Sequence, residues 1–137
     1  MPQTLAYLWA APTSLLGLLL AGAARLTGGR AHLHSGVLEV SGGVVGWLLR
    51  HAVPLAGGAA ALTLGHVVLG RSPEALERTR THERAHVRQC ERWGPLFVPA
   101  YLMASGWAVL RGRHAYTDNW FESCAHRDVS RDSRPLA

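Results

Sequence analysis

The sequence predicts an α+β fold: a small antiparallel sheet packed on three helices, of which one carries His82-Glu83-Arg84-Ala85-His86, one is apolar and one bears Glu122. Three observations lead there. Between Arg30 and Leu69, short apolar runs, partly alternating with polar residues, are separated by glycine-rich turns, the mark of strands. From Ser72 onward the chain shows a helix start signal, then helical periodicity, then two further helical stretches. A chain of 137 residues also fits one domain that can bury a core without disulfide staples.

Residues Leu5 to Ala24 carry no charge, and about 20 apolar residues suffice to span a bilayer. Three readings compete for this run. As a transmembrane anchor, it would be followed by Arg25 and Arg30, which favour the cytoplasm for the domain beyond it. As a signal peptide it offers a cleavage-like Ala21-Gly22-Ala23 but no preceding basic residue. As a core helix it would break at Pro12, take Thr13 or Ser14 as its cap, and run from Ser14 to Leu26, stopped by Gly28-Gly29. Residues 1–26 are thus set apart, as membrane anchor or core helix, from a single domain over 27–137. A membrane-associated protein with that domain in the cytoplasm is the first expectation, and a soluble cytoplasmic protein is the alternative.

The elements follow in order. Ala31-His32-Leu33-His34 and Val37-Leu38-Glu39-Val40 flank Ser35-Gly36, which predicts a hairpin with a two-residue turn. Gly42-Gly43 ends it, and Val44 to His51 forms a short helix stopped before Pro54. After Gly57-Gly58, Leu62 to Leu69 reads as one strand. Ser72-Pro73-Glu74 supplies an N-cap, a proline at the first helical position and an acidic first turn, opening a helix from Pro73 to about Trp93 that Gly94-Pro95 closes. Pro95 to Leu110 is uncharged but short for a span, so it predicts a buried or interfacial helix ended by Arg111-Gly112-Arg113. A last helix starts near Thr117 or Asp118 and carries Phe121, Glu122 and Ala125, before a polar, frayed tail from Arg127.

Every basic side chain apart from histidine is arginine, and 14 of them against 9 acidic residues give a net charge of +5. That excess suits an anionic surface, and lipid contact through residues 5–24 is one form of it; the base composition of a host genome gives the same excess. Nucleic acid is not expected, because the arginines are spread out and no interleaved aromatics or helix-turn-helix signal accompany them. Cys90 and Cys124 form no framework or C-x-x-C pair; they are two buried thiols or one bridge between helices.

The chemistry concentrates in residues 82–86. Histidines four apart rise one turn on the same helix face and can share one Zn²⁺. Glu83 lies about 100° around the helix, close enough to take a proton from metal-bound water. The bland alternative is a surface helix with two solvated histidines. Arg80, Arg84, Arg88 and Arg92 form a second stripe about 200° away, which predicts a solvated face, or a lipid-headgroup contact if the N-terminal run is an anchor.

A catalytic zinc needs a third protein ligand and one open position. The longer pattern H-E-x-x-H-x-x-G-x-x-H fails, with Gln89 and Arg92 at its last two defined positions. A deformylase-like site would need a cysteine upstream of His82, and both cysteines lie downstream. The ligand therefore comes from later in the chain. Glu122 is the first candidate, and Asp118 and His126 on the same helix face stay open beside it, as does His114. Tyr116 and His114 precede that helix and could donate to a developing oxyanion; Tyr116 is the choice, against an ordinary packed tyrosine. His66 is expected to be structural, and nothing completes a metal site around His32 and His34.

The stretch from His82-Glu83-Arg84-Ala85-His86 through Asp118-Asn119-Trp120-Phe121-Glu122 resembles the gluzincins, zinc metallopeptidases whose H-E-x-x-H helix is completed by a glutamate from a later helix. It is also similar to small, poorly characterised bacterial H-E-x-x-H proteins. The resemblance implies a minimal zincin-like domain, His82, His86 and Glu122 as zinc ligands, Glu83 as general base and proton shuttle, and an edge strand ahead of the zinc helix that pairs with extended peptide. Gluzincins often place an aspartate four residues beyond the ligand glutamate; His126 stands there, which leaves open what supports the zinc histidines. The implied activity is hydrolysis of peptide or protein substrates by glutamate-assisted attack of zinc-bound water. The alternative is a non-catalytic zinc protein, membrane-associated or engaged in interactions.

Overall fold

The computed structural model describes residues 2–53 and 55–134. Its elements are α1 (Gln3–Leu26), β1 (Arg30–His34), β2 (Val37–Ser41), α2 (Gly43–His51), β3 (Ala61–Leu64), β4 (Val67–Gly70), α3 (Pro73–Trp93), a 3-10 turn (Gly94–Leu96), α4 (Phe97–Leu110) and α5 (Trp120–Asp132). The class is α+β. The expected stop at Pro54 and the last three residues of the tail lie outside the described residues.

The sheet has the order β1-β2-β4-β3, with β2 and β4 parallel and the outer pairs antiparallel. The all-antiparallel sheet expected from sequence is therefore corrected to a mixed one. Alternation along a strand records which face each side chain takes and says nothing of a neighbour's direction. Direction is set here by α2 and the segment after it, which carry the chain past the sheet so that β3 enters at the far edge and β4 returns beside β2.

Both faces of the sheet are covered. Leu38 and Val40 of β2 and Val67 and Leu69 of β4 pack with Ala21 and Ala24 of α1 and Val45 and Leu49 of α2. The alternate residues Val37 and Val68 meet Leu76 and Val87 of α3. Cys90, Phe97 and Phe121 join α3 to α4 and α5 in a third cluster. Cover on both faces makes β4 apolar throughout, and this is why Leu62 to Leu69 reads as one strand. It is in fact a hairpin: Gly65 takes a φ of 63°, and the Ser14 hydroxyl accepts the His66 N–H at 3.0 Å. The β1–β2 hairpin forms as expected, with positive φ at both Ser35 and Gly36.

α1 does not break at Pro12. The proline sits on the exposed side, and the helix is held through it by a buried stripe of Ala6, Ala10, Thr13, Gly17, Ala21 and Ala24. At Gly17 even a methyl group would meet the Val67 Cβ at 2.7 Å, so α1 lies directly on β4. Packing here outweighs the lost backbone bond. α5 starts at Trp120 rather than Thr117 or Asp118, and it runs on to Asp132 where a frayed tail was expected.

The arginine stripe of α3 is not a free solvated face. Arg80 makes a paired contact with the buried Glu39 carboxylate, both bonds 2.9 Å, and Arg84 donates to the carbonyl oxygens of Ser35 and His34. These two side chains fasten the β1–β2 hairpin to α3, while Arg88 reaches Asp132 at 3.5 Å. Helical spacing placed the stripe away from the histidines correctly; that a strand carboxylate waits there is a long-range fact.

Candidate metal centre

α3 is well specified locally. The Ser72 hydroxyl accepts the Ala75 N–H at 3.2 Å, Pro73 needs no amide partner in the first turn, and Glu74 faces the positive helix end. Gly94, at φ 55°, stops it. His82 and His86 therefore project from mid-helix, one turn apart. α5 starts on Asn119, which is fully buried: its side-chain oxygen accepts the Phe121 N–H at 2.8 Å, and its amide donates to the Tyr101 carbonyl and the Ser105 hydroxyl. One asparagine thus caps the Glu122 helix and ties it to α4.

His82, His86 and Glu122 each offer a ligand atom, and these atoms lie within 4.8 Å of one another. Glu122 Oε2 is 2.9 Å from His82 Nε2, Glu122 Oε1 is 3.1 Å from His86 Nε2, and the two Nε2 atoms are 3.2 Å apart. A tetrahedral cation bound at about 2.0–2.1 Å by each nitrogen needs them about 3.3 Å apart. The spacing fits.

The hydrogen bonds around His86 fix what its ring presents. Gln89 Nε2 donates to the Phe121 carbonyl, so Gln89 Oε1 must accept, and it faces His86 Nδ1 at 2.8 Å. Nδ1 therefore carries a proton, and Nε2 faces the Glu122 carboxylate and His82: it donates to Glu122 when the ring is charged and offers a lone pair when the ring is neutral. With both rings neutral, two imidazole nitrogens and a carboxylate could share one cation here. Glu122 is held from a third side by the Tyr101 hydroxyl, which donates to Oε1 at 2.6 Å. Among the described residues His82 Nδ1 is buried without a partner, and the His126 ring lies 4.7 Å from the His82 ring.

Electrostatics separate the two carboxylates. Burial alone would raise Glu122, but hydrogen bonds from His82, His86 and Tyr101 overcome it and hold the carboxyl far below the usual range. For Glu83 burial prevails over His86, Thr63 and His82, and its carboxyl is raised. Burial would lower His86, yet bonding to Glu122 outweighs it and the ring is raised. Burial, then Glu122, raise the Tyr101 and Tyr116 phenols, so both stay protonated donors. One carboxylate is prepared to remain charged and the other to exchange a proton.

Glu83 Oε2 accepts from the Thr63 hydroxyl at 2.6 Å, which joins α3 to β3. Glu83, His86, Glu122 and Tyr116 line one cavity of about 370 Å³. Its remaining wall is largely apolar, formed by Leu62 and Leu64 of β3, by Phe97, Val98 and Leu102 of α4, and by Val53. β3 is the last strand in the sheet, and among the described residues no strand covers its outer edge.

The sequence-derived set is thus brought together: His82, His86 and Glu122 cluster, with Glu83 and Tyr116 on the same cavity. The alternatives for the third ligand stand outside the cluster. Asp118 accepts the His114 N–H, His114 Nδ1 accepts from the Tyr116 and Thr117 amides, and the His126 ring lies tilted against His82 without joining the cluster. His66 bonds Glu91 at 2.9 Å and stacks on Tyr7, a structural role. Cys90 and Cys124 are separate thiols, and burial pushes Cys90 up to about 12. Sequence reasoning missed Gln89, Tyr101 and Thr63. Gln89 had a readable signal, one turn beyond His86 on the same face; Tyr101 had only its rarity as a hydroxyl within an apolar run. Comparisons with family models, curated proteins and solved structures found no match.

Proposed function

We propose that this protein is a zinc-dependent metallopeptidase with a minimal, gluzincin-like zincin domain. The observation that carries the reading is the convergence of His82, His86 and Glu122 within 4.8 Å, beside Glu83 on a shared cavity. Two neutral imidazoles and a carboxylate are the donor set zinc takes in hydrolytic sites, and the two carboxylates balance a divalent charge. When bound, zinc lowers the pKa of a coordinated water to about 7 and polarises a carbonyl.

The chain's own residues supply the rest. Glu83, with its raised carboxyl, takes the proton of the attacking water and delivers it to the leaving amine. Tyr116, a protonated donor on the same cavity, hydrogen-bonds the oxyanion of the substrate carbonyl. The free edge of β3 offers backbone groups to an extended peptide, and the apolar wall seats its side chain and excludes water. The test measures zinc per purified chain, then cleavage of an unbiased peptide mixture by wild type and Glu83→Gln. One zinc per chain is expected, with kcat/KM falling about 10²–10⁴-fold in the variant while zinc is retained. Zinc-loaded wild type that cleaves nothing would sink the proposal.

One observation favours a second reading, a non-catalytic zinc site. The Thr63–Glu83 bond links strand to helix in a buried place, which a purely structural glutamate would also do. On that reading Glu83→Gln lowers stability and there is no activity to lose.

A further inference from the structure

The outer faces of α1 and α4 invert the usual arrangement of an amphipathic helix. In a soluble domain the large apolar residues turn inward. α1 turns its small residues inward, and its leucines outward, with Leu8 70% and Leu19 66% exposed. α4 buries only Phe97 and Ala108 among its residues and leaves Met103 75% and Leu110 82% exposed. The two surfaces adjoin. The Trp9 indole N–H donates to the Arg92 carbonyl at 3.3 Å, and its ring covers Gly94, where α3 gives way to the turn before α4.

Charge says what covers this surface. No charged side chain occurs between Gln3 and Ala24 or between Phe97 and Leu110. Both helices end in arginine: Arg25 on α1, and Arg111 with Arg113 after α4, all exposed. The Arg111 guanidinium lies 4.9 Å above the Trp107 ring, an aromatic and a cation paired at a helix end, as suits the headgroup level of a bilayer. A second copy of the chain is disfavoured, because the small residues that let helices approach closely already face β4. A protein partner is disfavoured as well, because protein interfaces carry charged and polar groups around their rim, and neither helix has a charged side chain between Gln3 and Ala24 or between Phe97 and Leu110.

We infer that the α1–α4 face docks on an anionic lipid bilayer, with both helices lying along the surface. They do not cross it. α4, at 14 residues, is about 21 Å long against an apolar thickness of about 30 Å. α1 is tied into the fold on its inner side, through Ser14 to His66 and through the Tyr7 hydroxyl to the Gly36 carbonyl. Basic residues at the helix ends then meet lipid phosphates, and the leucines enter the acyl boundary. This inference stands apart from the peptidase reading.

Vesicle flotation of the full chain tests it, with phosphatidylcholine–phosphatidylglycerol vesicles set against phosphatidylcholine alone. Wild type is expected to float with the anionic vesicles. Leu8→Asp/Leu19→Asp and Met103→Asp/Leu110→Asp should each lower partitioning about tenfold or more, since each replaces two outward apolar side chains with carboxylates that the acyl boundary does not solvate. These side chains point outward, so circular dichroism melts should match wild type. Arg111→Gln/Arg113→Gln should reduce binding to anionic vesicles only. Protein that stays with neither vesicle overturns the inference, as do aspartate variants that float like wild type. A dimer in light scattering that the same aspartates disperse, without vesicle binding, assigns the face to a second copy and overturns it too.

Discussion

Glu122 is oriented from α4 and His86 from its own helix, so the geometry of the cluster depends on side chains that bind nothing themselves. Tyr101 donates to Glu122 and Gln89 accepts from His86. Groups in such positions typically contribute 10–100-fold in metal affinity. Tyr101→Phe and Gln89→Ala are each expected to weaken zinc binding by about that factor, measured by chelator competition. Unchanged affinity in both would show that the helices alone hold the ligands. His82→Ala should abolish tight binding altogether, and a retained zinc would contradict the assignment of the cluster. His82 and His86 were legible because their spacing is a property of one helix; Tyr101 was not, because its partner lies on another.

Among the elements, the start of α5 matters most for the site. Asn119→Ala removes a cap and two further buried bonds, and is expected to cost about 2–4 kcal/mol in urea unfolding while displacing Glu122. The β1–β2 hairpin is clamped to α3 by Glu39 and Arg80, a pairing that gives stability a pH dependence. The hydrogen bond from Arg80 holds the Glu39 carboxyl below its ordinary 4.5. A folded value below the unfolded one means the contribution is present above that ordinary value and is lost as pH falls through the depressed one. Glu39→Gln should therefore flatten the acid limb of stability against pH, followed by denaturant titration between about pH 3 and pH 6. An acid limb that stays as steep would remove the clamp from the account. The arginine spacing was visible in sequence, but Glu39 lies on β2 and only the fold brings it there.

At the scale of the whole molecule, the sheet separates two jobs. α1 and α2 close one face, while α3 closes the other and, with α5 and α4, holds the His82–His86–Glu122 cluster. α1 therefore contributes Ala21 and Ala24 to the core while its outer side is apolar. Gly17→Ala would force a methyl into Val67 and should cost about 1–3 kcal/mol. Because the contact lies across the sheet from the cluster, zinc affinity at low denaturant should stay as in wild type. A loss of affinity equal to that from Tyr101→Phe would mean the two faces are coupled. Leu102 belongs both to the cavity wall and to the exposed surface of α4, so bilayer and cavity would share a helix.

Caps, turns and periodicities act over a few residues, and the sequence alone settled what depends on them: the extent of α3, the Ser35-Gly36 hairpin, and the face shared by His82 and His86. Strand direction, the split of Leu62–Leu69 at Gly65, the passage of α1 through Pro12 and the union of Glu122 with the two histidines were decided by tertiary packing. Each depends on what approaches from a distant part of the chain: α2 redirecting the strands, Ser14 meeting His66, β4 pressed on Gly17, and Asn119 fixing α5 against α4. Local rules place a side chain on its own element, and long-range packing determines what it faces.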